Sequence, residues 1–347
     1  MNPRDMQLTP RARLREVIRG KARVVGSRTS IGRDDLGLTP GMVSPWEVRE
    51  LVGLRYGDPP IDEARYDRER TLSKDAALLA RLMVSGLLPR LGPNGGGPRS
   101  DEATVRRPRV VSAPVDPLDT AEAIERIVSW LEQGSGGTVF FVHPHALNLA
   151  ARKVRLRSDL EAAKLVLPDG IGVRIACAIL GVSLPANVNG TDLVPELLVE
   201  LAARRIPIAL AGGGPGVAER AAAAWSERTP LDVRATVDGF QTEDRYRELA
   251  ERMEEQAPCV VFLAFGTPIQ ERLAIKHFAE RQGVVVLTVG GLFDFAAGDK
   301  PRAPMAWREL GLEWVWRLRH EPRRLAKRYL LGNPEFLARA SWQRIRG

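Results

Sequence analysis

Short apolar runs alternate with longer amphipathic stretches between residues 110 and 299. The apolar runs, rich in Val, Ile and Phe, occupy residues 138–142, 165–168, 206–211, 233–237, 259–265 and 284–289. The amphipathic stretches include residues 120–133, 191–205 and 242–256. The runs have the length of buried strands, and the stretches have the length and period of helices. This alternation predicts an α/β fold with a Rossmann-like, mainly parallel sheet and helices on both faces.

The chain outside this region has a different composition. Residues 91–109 ("LGPNGGGPRSDEATVRRPR") are rich in Gly, Pro and charge and lack a hydrophobic period, which is typical of a flexible linker. With 347 residues, 44% of them hydrophobic, the chain can bury one large core beside a small second module. We predict an N-terminal module at 1–90, the linker at 91–109, the α/β core at 110–299 and a basic, aromatic C-terminal appendage at 300–347.

Cysteine usage and the N-terminus bear on the cellular compartment. Cys177 and Cys259 lie in apolar surroundings without CxxC or Cys/His spacing, so we expect buried free thiols in a reducing cytosol and neither a disulfide nor a zinc site. The N-terminal stretch "MNPRDMQLTPRARLREV" has no apolar signal region. No window approaches the roughly 18 consecutive apolar residues of a membrane span. We expect a protein that is neither exported nor membrane-spanning.

The residues that follow each predicted strand are the first candidates for a ligand site. In a parallel α/β sheet, ligands bind beyond the carboxyl ends of the strands. Those strand exits read "HPHALN" (143–148), "DGIG" (169–172), "GGGPG" (212–216), "DGF" (238–240), "GTPIQE" (266–271) and "GGLFDFAAG" (290–298). All but the first contain glycine, and all but 212–216 contain a carboxylate or a carboxamide. The sequence therefore predicts one polar crevice that tolerates phosphate.

Several exits allow two interpretations. Residues 212–216 could cradle a diphosphate with backbone N–H groups at the start of the following helix, or form an ordinary tight turn. Val217 occupies the third glycine position of the dinucleotide fingerprint and no Walker lysine follows, which disfavours NAD binding and a P-loop kinase. Asp169, between Pro168 and Gly170, could cap a helix or reach a substrate from an open turn. Asp238 and Asp294 could hold donor hydroxyls or cap turns.

Metal binding is disfavoured by spacing. His143 and His145 could chelate a metal, but no third ligand follows at a useful distance, so substrate contact or plain packing explains them better. No D-x-D sequence, which commonly holds the Mg²⁺ of a sugar nucleotide, lies near a strand exit. We therefore predict neither a cofactor nor a metal.

The motifs together resemble one enzyme family. "LPDGIGVRIACAILG", "NGTDLVPELL", "LAGGGPGVAERAA", "DGF", "FGTPIQE", "VGGLFDFAAGDKPRAP" and "LGLEWVWRLRHEPRRLAKRYLLGNP" are similar, in this order, to blocks of the WecG/TagA/CpsF family of glycosyltransferases. The resemblance covers residues 110 to 337. It implies inverting, metal-independent transfer of a sugar from a UDP-sugar donor to a polyprenyl-diphosphate-linked saccharide acceptor at the cytoplasmic face of the membrane. Many members have Thr-x-Asn after the first strand, where this chain has His143, Pro144 and His145, so the donor sugar stays open.

This reaction assigns roles to individual residues. Inverting transfer needs a base for the acceptor hydroxyl, and Asp169 carries a carboxylate that is ordinarily ionised at neutral pH. Without a metal, protein cations and N–H donors must stabilise the departing diphosphate. Arg302 in "KPRAP", the glycine turn and Gln270, a neutral donor and acceptor, suit that task.

The C-terminal appendage combines basic and aromatic residues. Residues 300–347 contain twelve Arg or Lys and four Glu, interleaved with Trp307, Trp314, Trp316, Tyr329, Phe336 and Trp342. This composition suits an anionic membrane surface, a nucleic acid or a solvated helix face. We expect a membrane surface and no nucleic acid, because the matching segment of the family docks on the membrane and completes the active site.

The predicted site is therefore extensive. Its predicted catalytic residues are Asp169, Arg302 and Gln270, and its predicted substrate-binding residues are His143, His145, Asn148, Gly170, Thr191, Gly212, Gly213, Gly214, Gly216, Asp238, Gly239, Gly266, Pro268, Glu271, Gly291, Asp294, Arg317, Arg323, Arg324 and Arg328.

The N-terminal module carries a second resemblance. "GLTPGMVSPWEVRELVGLRYG" and "DEARYDRERTLSKDAALLARLMVSG" are similar to the C-terminal end of bacterial polyprenyl-phosphate sugar-phosphate transferases over residues 25–88. The membrane helix and acidic dyad of that family are missing, so we carry over no phosphotransferase activity. The module fits interfacial docking or contact with a partner enzyme. Homo-oligomer formation and contact with other glycan-assembly enzymes stay open for the whole chain. The alternative function for the whole chain is a non-catalytic scaffold that binds a sugar nucleotide or a lipid diphosphate.

Overall fold

The chain forms two compact units. The computed structural model describes residues 107–185, 188–304, 307 and 312–346, with the short segments Arg23–Val25 and Gly41–Val43 and the single residues Tyr66, Arg68 and Asp75. Residues 1–97 and 304–313 belong to one unit, and residues 98–303 and 314–347 belong to the other. In the smaller unit, β1 (Arg23–Val25) pairs in parallel with β2 (Gly41–Val43). The predicted N-terminal module and linker lie almost entirely outside the described residues, so their boundaries and the second resemblance stay predictions.

Six parallel strands form the central sheet of the larger unit. An antiparallel pair, β3 (Arg109–Val110) and β4 (Ala113–Pro114), comes first. The sheet strands are β5 (Gly137–Val142), β6 (Leu165–Pro168), β7 (Ile208–Gly212), β8 (Val233–Val237), β9 (Cys259–Ala264) and β10 (Val284–Thr288). Their spatial order is β6-β5-β10-β9-β7-β8. The predicted parallel α/β sheet is confirmed.

Helices cover both faces of this sheet. The helices of the described chain are α1 (Thr120–Glu132), α2 (Pro144–Arg152), α3 (Val154–Ala162), α4 (Ile171–Leu180), α5 (Gly190–Ala203), α6 (Val217–Ser226), α7 (Glu243–Glu254), α8 (Ile269–His277), α9 (Leu292–Ala296), α10 (Glu313–His320), α11 (Pro322–Ala326) and α12 (Gly332–Arg346), with a π-helical turn at Lys327–Leu331. Successive strand residues face opposite sides: Phe140 and Val142 pack with α2, α3, α4, α7, α8 and α12, whereas Val139 and Phe141 pack with α1, α5, α6 and α9. Both faces are therefore buried, which explains the unbroken apolar runs of the strands.

The strand bounds follow the predicted runs closely, with one instructive difference. The run 206–211 predicts a strand from Ile206, but β7 begins at Ile208. The Ile206 N–H donates to the Leu201 carbonyl at 2.9 Å and closes the end of α5. Pro207 has no N–H to offer the sheet. The strand consequently starts two residues later and continues through Gly212.

Asp116 hydrogen-bonds the backbone at the outer edge of β6, the strand that leads to Asp169. The Asp116 N–H donates to the Val166 carbonyl at 2.7 Å, and the Asp116 Oδ2 atom accepts the Val166 N–H at 2.6 Å. Arg107 pairs with the same carboxylate at 2.5 Å. Since an open strand edge invites pairing with other chains, this contact both fixes and protects β6.

The C-terminal helix is part of the core. Helix α12 packs against α2 and α4, and its Phe336 and Ala340 side chains are fully buried. Asn148 in α2 donates from Nδ2 to the Gly332 carbonyl at 2.7 Å. The prediction that Phe336 is one of the membrane-facing aromatic residues is wrong, because its ring fills the core. Among the described residues, no helix is both long and apolar enough to cross a bilayer.

Both cysteines lie inside the larger unit. Cys177 and Cys259 are buried and free, as predicted. Burial raises the pKa of each thiol to about 12. The Cys259 thiol donates to the Met253 carbonyl at 3.0 Å. Both therefore act as small core residues.

Candidate active site

The sheet topology marks a crevice between β5 and β10. These strands are neighbours, but β5 is followed by α2 on one face and β10 by α9 on the other. A parallel sheet opens a crevice where the chain leaves adjacent strands toward opposite faces. His143 follows β5 at this point, and Gly291 precedes α9. The crevice therefore coincides with predicted site residues.

Asp169 lies beside the end of β5. Its N–H donates to the Val142 carbonyl at 2.8 Å, which holds the exits of β5 and β6 together. Gly170 follows with a φ of +88°, a conformation that favours glycine, and a Cβ there would meet no atom within 4 Å. The turn therefore leaves open space beside Gly170.

A half-buried arginine from the C-terminal region, Arg328, lies within electrostatic range of Asp169. Burial lowers the pKa of Arg328, and the nearby Tyr329 and Asp169 side chains oppose that shift. Arg317 and Arg324 lower the pKa of Arg328 further, so the three guanidinium groups form one cationic cluster. Asp169 and three predicted substrate-binding arginines are therefore electrostatically coupled through Arg328.

Arg317 contacts the exit of β10, whereas Arg324 pairs within the C-terminal region. The Arg317 guanidinium lies 4.9 Å from the centre of the Phe295 ring in α9. Arg324 pairs with Glu321 at 2.5 Å. Arg323 is exposed to solvent. The arginine cluster therefore reaches from the β5 and β6 exits to the β10 exit.

His143 begins α2 and is kept neutral. Its Nδ1 atom accepts the Ala146 N–H at 3.0 Å, the capping bond that a threonine hydroxyl would make at this position. Burial lowers the pKa of His143 well below its usual value, and Arg328, His145 and Arg317 lower it further. With Nδ1 accepting, the neutral ring carries its proton on Nε2, a hydrogen-bond donor.

His145 is also held below its ordinary protonation range. Burial lowers the pKa of His145, and Arg328 and Arg152 add to that shift. The two imidazole rings stack with their centres 6.1 Å apart. Across the described part of the chain, no group of three His, Cys, Asp or Glu side chains could hold a metal ion.

Gln270 joins two strand exits. Its Oε1 atom accepts the N–H groups of Gly266 and Gly290, each at 3.1 Å, and its Nε2 atom donates to Glu271 at 3.1 Å. Glu271 is itself buried and accepts a bond from the Thr267 hydroxyl at 2.7 Å. Burial raises the pKa of Glu271. Gln270 therefore acts as a clamp between the loops after β9 and β10. Its contact with the departing diphosphate stays a prediction.

Close backbone packing at the end of β7 explains why glycine begins the turn at 212–216. Gly212 has a φ of +124°, and a Cβ there would lie 2.4 Å from the Ala264 carbonyl oxygen. The Gly213 N–H donates to the same carbonyl at 3.0 Å, and the Gly239 N–H donates to the Gly213 carbonyl at 2.9 Å. These bonds fasten the exits of β7, β8 and β9 together. The Gly213 and Gly239 N–H groups are therefore already used within the protein.

Two predicted sugar ligands have protein partners. Asp238 accepts the Phe240 N–H at 2.9 Å and the Gln241 amide at 2.7 Å, so it caps the turn after β8. Asp294 pairs with Lys300 at 2.6 Å. Asp238 therefore caps a turn and Asp294 forms an ion pair, and contact of either residue with donor hydroxyls stays a prediction.

Arg302 is held by Asp192, which is not among the predicted site residues. Its Nη2 atom donates to the Asp192 Oδ1 atom. Asn189 caps α5 and accepts bonds from the Thr191 hydroxyl at 2.6 Å and the Asp192 N–H at 2.9 Å. The Asn-Gly-Thr-Asp sequence is a helix-start signal, which predicts the Asn189 cap but not the contact between Asp192 and Arg302.

Comparison with known proteins now identifies the family. The family model "Glycosyl transferase WecG/TagA/CpsF family" matches residues 108–347. The chain belongs to this family. One similar protein, the N-acetylglucosaminyldiphosphoundecaprenol N-acetyl-beta-D-mannosaminyltransferase of Bacillus spizizenii, is 28% identical over 210 residues, which cover 60% of this chain and 80% of that protein. The predicted resemblance of residues 110–337 is confirmed.

Within this WecG/TagA/CpsF glycosyltransferase, the predicted residues fall into two groups. One group surrounds Asp169 and His143 and includes Arg317, Arg324 and Arg328. The other group consists of residues that shape the strand exits. Hydrogen bonds to one another or to neighbouring backbone are made by Gly212, Gly213, Gly239, Gly266, Gln270 and Glu271. The Gly214 carbonyl accepts the Val217 N–H, Gly216 begins α6, Pro268 precedes α8, and Asn148 anchors α12. Substrate contact by these residues stays a prediction.

Proposed function

We propose that this protein is an inverting, metal-independent glycosyltransferase that moves a sugar from a UDP-sugar to a polyprenyl-diphosphate-linked saccharide in exopolysaccharide or cell-wall glycan biosynthesis. Family membership supports glycosyl transfer. The name of the Bacillus spizizenii relative describes N-acetylmannosaminyl transfer and includes N-acetylglucosaminyldiphosphoundecaprenol, which supports a lipid-diphosphate acceptor. The observation that carries the proposal is the position of Asp169 at the exit of β6, beside the open space at Gly170 and within electrostatic range of the Arg328 guanidinium.

The chemical step needs one base and one stabilised leaving group. The acceptor hydroxyl oxygen attacks the anomeric carbon of the donor on the face opposite to UDP. The bond between that carbon and the diphosphate oxygen breaks, and UDP leaves with the electron pair. Asp169 takes the hydroxyl proton and later releases it to solvent. The products are UDP and the acceptor extended by one sugar.

Positive groups balance the charge of the two diphosphates. The Arg317, Arg324 and Arg328 cluster beside Asp169 suits the acceptor diphosphate, and Arg302 suits the departing UDP. A hydrogen bond to a charged group contributes about 1.5–3 kcal/mol, more than a neutral one. His143, held neutral with Nε2–H as donor, can bind an oxygen of the donor or acceptor without adding a charge.

The C-terminal helices support docking on an anionic membrane at its inner face. Leu330, Leu331, Trp342 and Ile345 are exposed, the last with 77% of its surface open to solvent. Exposed basic side chains lie on the same segment, including Arg344 and Arg346. Apolar residues can enter the interface while each basic residue near the headgroups contributes about 1 kcal/mol.

Replacing Asp169 by Asn tests the proposal. UDP release measured with a lipid-linked acceptor should fall by about 10²- to 10⁴-fold, the range for a lost general base, while UDP binding measured by calorimetry stays nearly unchanged. Asp299→Asn is the control, because Asp299 is a partly exposed aspartate paired with Arg220 at 2.6 Å. Wild-type turnover in Asp169→Asn would remove Asp169 from the mechanism. UDP binding without UDP release by the wild-type protein would instead favour a non-catalytic scaffold.

A further inference from the structure

The start of α5 lies at the edge of the sheet where ligands bind. Helix α5 precedes β7, so its N-terminus is at the carboxyl edge of the parallel strands. A Cβ at Gly190 would lie 3.5 Å from the Phe141 ring, which places the first turn of α5 against the end of β5. Asp192 belongs to this first turn.

Asp192 is held by two side chains. Its Oδ2 atom accepts a bond from the Asn189 Nδ2 atom at 2.8 Å, and its Oδ1 atom pairs with the Arg302 guanidinium. The Asn189 Oδ1 atom, in turn, accepts the Asp192 N–H and the Thr191 hydroxyl. The capping residue of α5 therefore orients Asp192, and Asp192 orients Arg302 across a separation of 110 residues in sequence.

The guanidinium of Arg302 keeps donors for another anion. Its Nη2 atom donates to Asp192, and its Nε atom, although unpaired within the described residues, is enclosed by protein and not itself open to a ligand. The Arg302 and Asp192 side chains are 31% and 20% exposed, so the pair is partly shielded from water but remains reachable. An arginine presents five N–H donors in a rigid fork, and one carboxylate oxygen does not use them all.

We infer that Asp192 is a positioning residue that presents Arg302 to the diphosphate of the donor nucleotide, with Asn189 setting the orientation of Asp192. The inference rests on the proposed function, which assigns Arg302 to the departing UDP. Two effects of Asp192 oppose each other: its charge weakens the field of Arg302, and its fixed geometry removes the freedom that a long side chain would lose on binding. Since the pair is anchored by Asn189 and lies at the site edge, orientation dominates.

Calorimetry of UDP binding separates orientation from charge. Asp192→Ala removes the anchor and should weaken UDP binding about 10-fold, the size of one charge-assisted bond. Asp192→Glu keeps the charge but moves the carboxylate by one methylene, and it should also weaken binding, by about 3- to 10-fold. Arg302→Gln should weaken binding by about 10- to 100-fold. Glu200→Gln, at the far end of α5, is the control, because Glu200 pairs with Arg204 there and should not affect UDP binding.

Double variants test whether Asp192 acts through Arg302. In the Arg302→Gln background, Asp192→Ala and Asp192→Glu should each change the UDP dissociation constant by less than about twofold, since residues that act as one unit are not additive. Independent, additive losses, or wild-type affinity in Asp192→Glu, would overturn the inference even if Asp192→Ala failed to fold. A wild-type protein that binds no UDP would overturn the proposed function together with this inference, so the two failures are distinguishable.

Discussion

Gln270 offers a prediction whose size follows from its contacts. In Gln270→Ala, the N–H groups of Gly266 and Gly290 lose their shared acceptor, and Glu271 loses a donor. An unsatisfied buried amide costs about 1–3 kcal/mol. Because both amides are only partly buried, we take the lower part of that range for each and expect a total loss of about 2–4 kcal/mol in the free energy of unfolding.

Thermal unfolding followed by circular dichroism measures this loss. A unit of this size shifts by about 2–4 °C per kcal/mol, so the melting temperature should fall by roughly 4–16 °C. Gln133→Ala, at an exposed position after α1, should change the free energy of unfolding by less than about 0.5 kcal/mol. UDP release should fall as well, because the loops after β9 and β10 lose the hydrogen bonds that hold them together.

A second variant checks the cause. Gln270→Glu keeps an acceptor oxygen for both amides but places a second carboxyl beside buried Glu271, whose pKa is already raised by burial. Ionising both costs free energy only in the folded state, so the variant should lose stability as pH rises. If Gln270→Ala kept its melting temperature while activity disappeared, the clamp would be energetically unimportant, and direct substrate contact would explain the residue.

Two further predictions concern His143 and the C-terminal surface. Because the folded pKa of His143 is lowered below its unfolded value near 6.5, its contribution to stability should be present above about pH 6.5 and decline as pH falls. His143→Thr keeps the cap and should flatten the melting-temperature profile between about pH 5 and 7; an unchanged slope would contradict this cause. Leu330→Ser with Leu331→Ser should weaken co-sedimentation with anionic liposomes at least about 10-fold, whereas exposed Val199→Ser should not; equal sedimentation would exclude insertion of these leucines.

The strands and their exits could be predicted because they depend on local patterns. The runs 165–168 and 233–237 match β6 and β8 residue for residue. The short apolar runs also place Asp169 at a strand end, where parallel topology directs it toward a ligand crevice. Periodicity and strand length are properties of neighbouring residues, so no tertiary contact was needed for these predictions.

The hydrogen bonds that hold the site residues together could not be predicted in the same way. Asp192 meets Arg302 across 110 residues, and Gln270 reaches Gly290 across 20. Such bonds depend on how the sheet is ordered, which the pattern of a single strand does not contain. Phe336 is a different case: its spacing of four from Ala340 forms one apolar helix face, and this period does predict burial. The aromatic and basic composition of the region obscured it.

The packing of α12 joins the proposed membrane-docking segment to the helices at the strand exits. Phe336 packs in the same core as Val173 of α4, and Asn148 of α2 holds the first residue of α12. Helices α2 and α4 begin next to His143 and Gly170, respectively. Helix α12 therefore contacts both helices that begin beside the exits of β5 and β6. Thermodynamic reciprocity then applies: if lipid and acceptor both bind more tightly to one position of α12, each must raise the affinity of the other by the same factor.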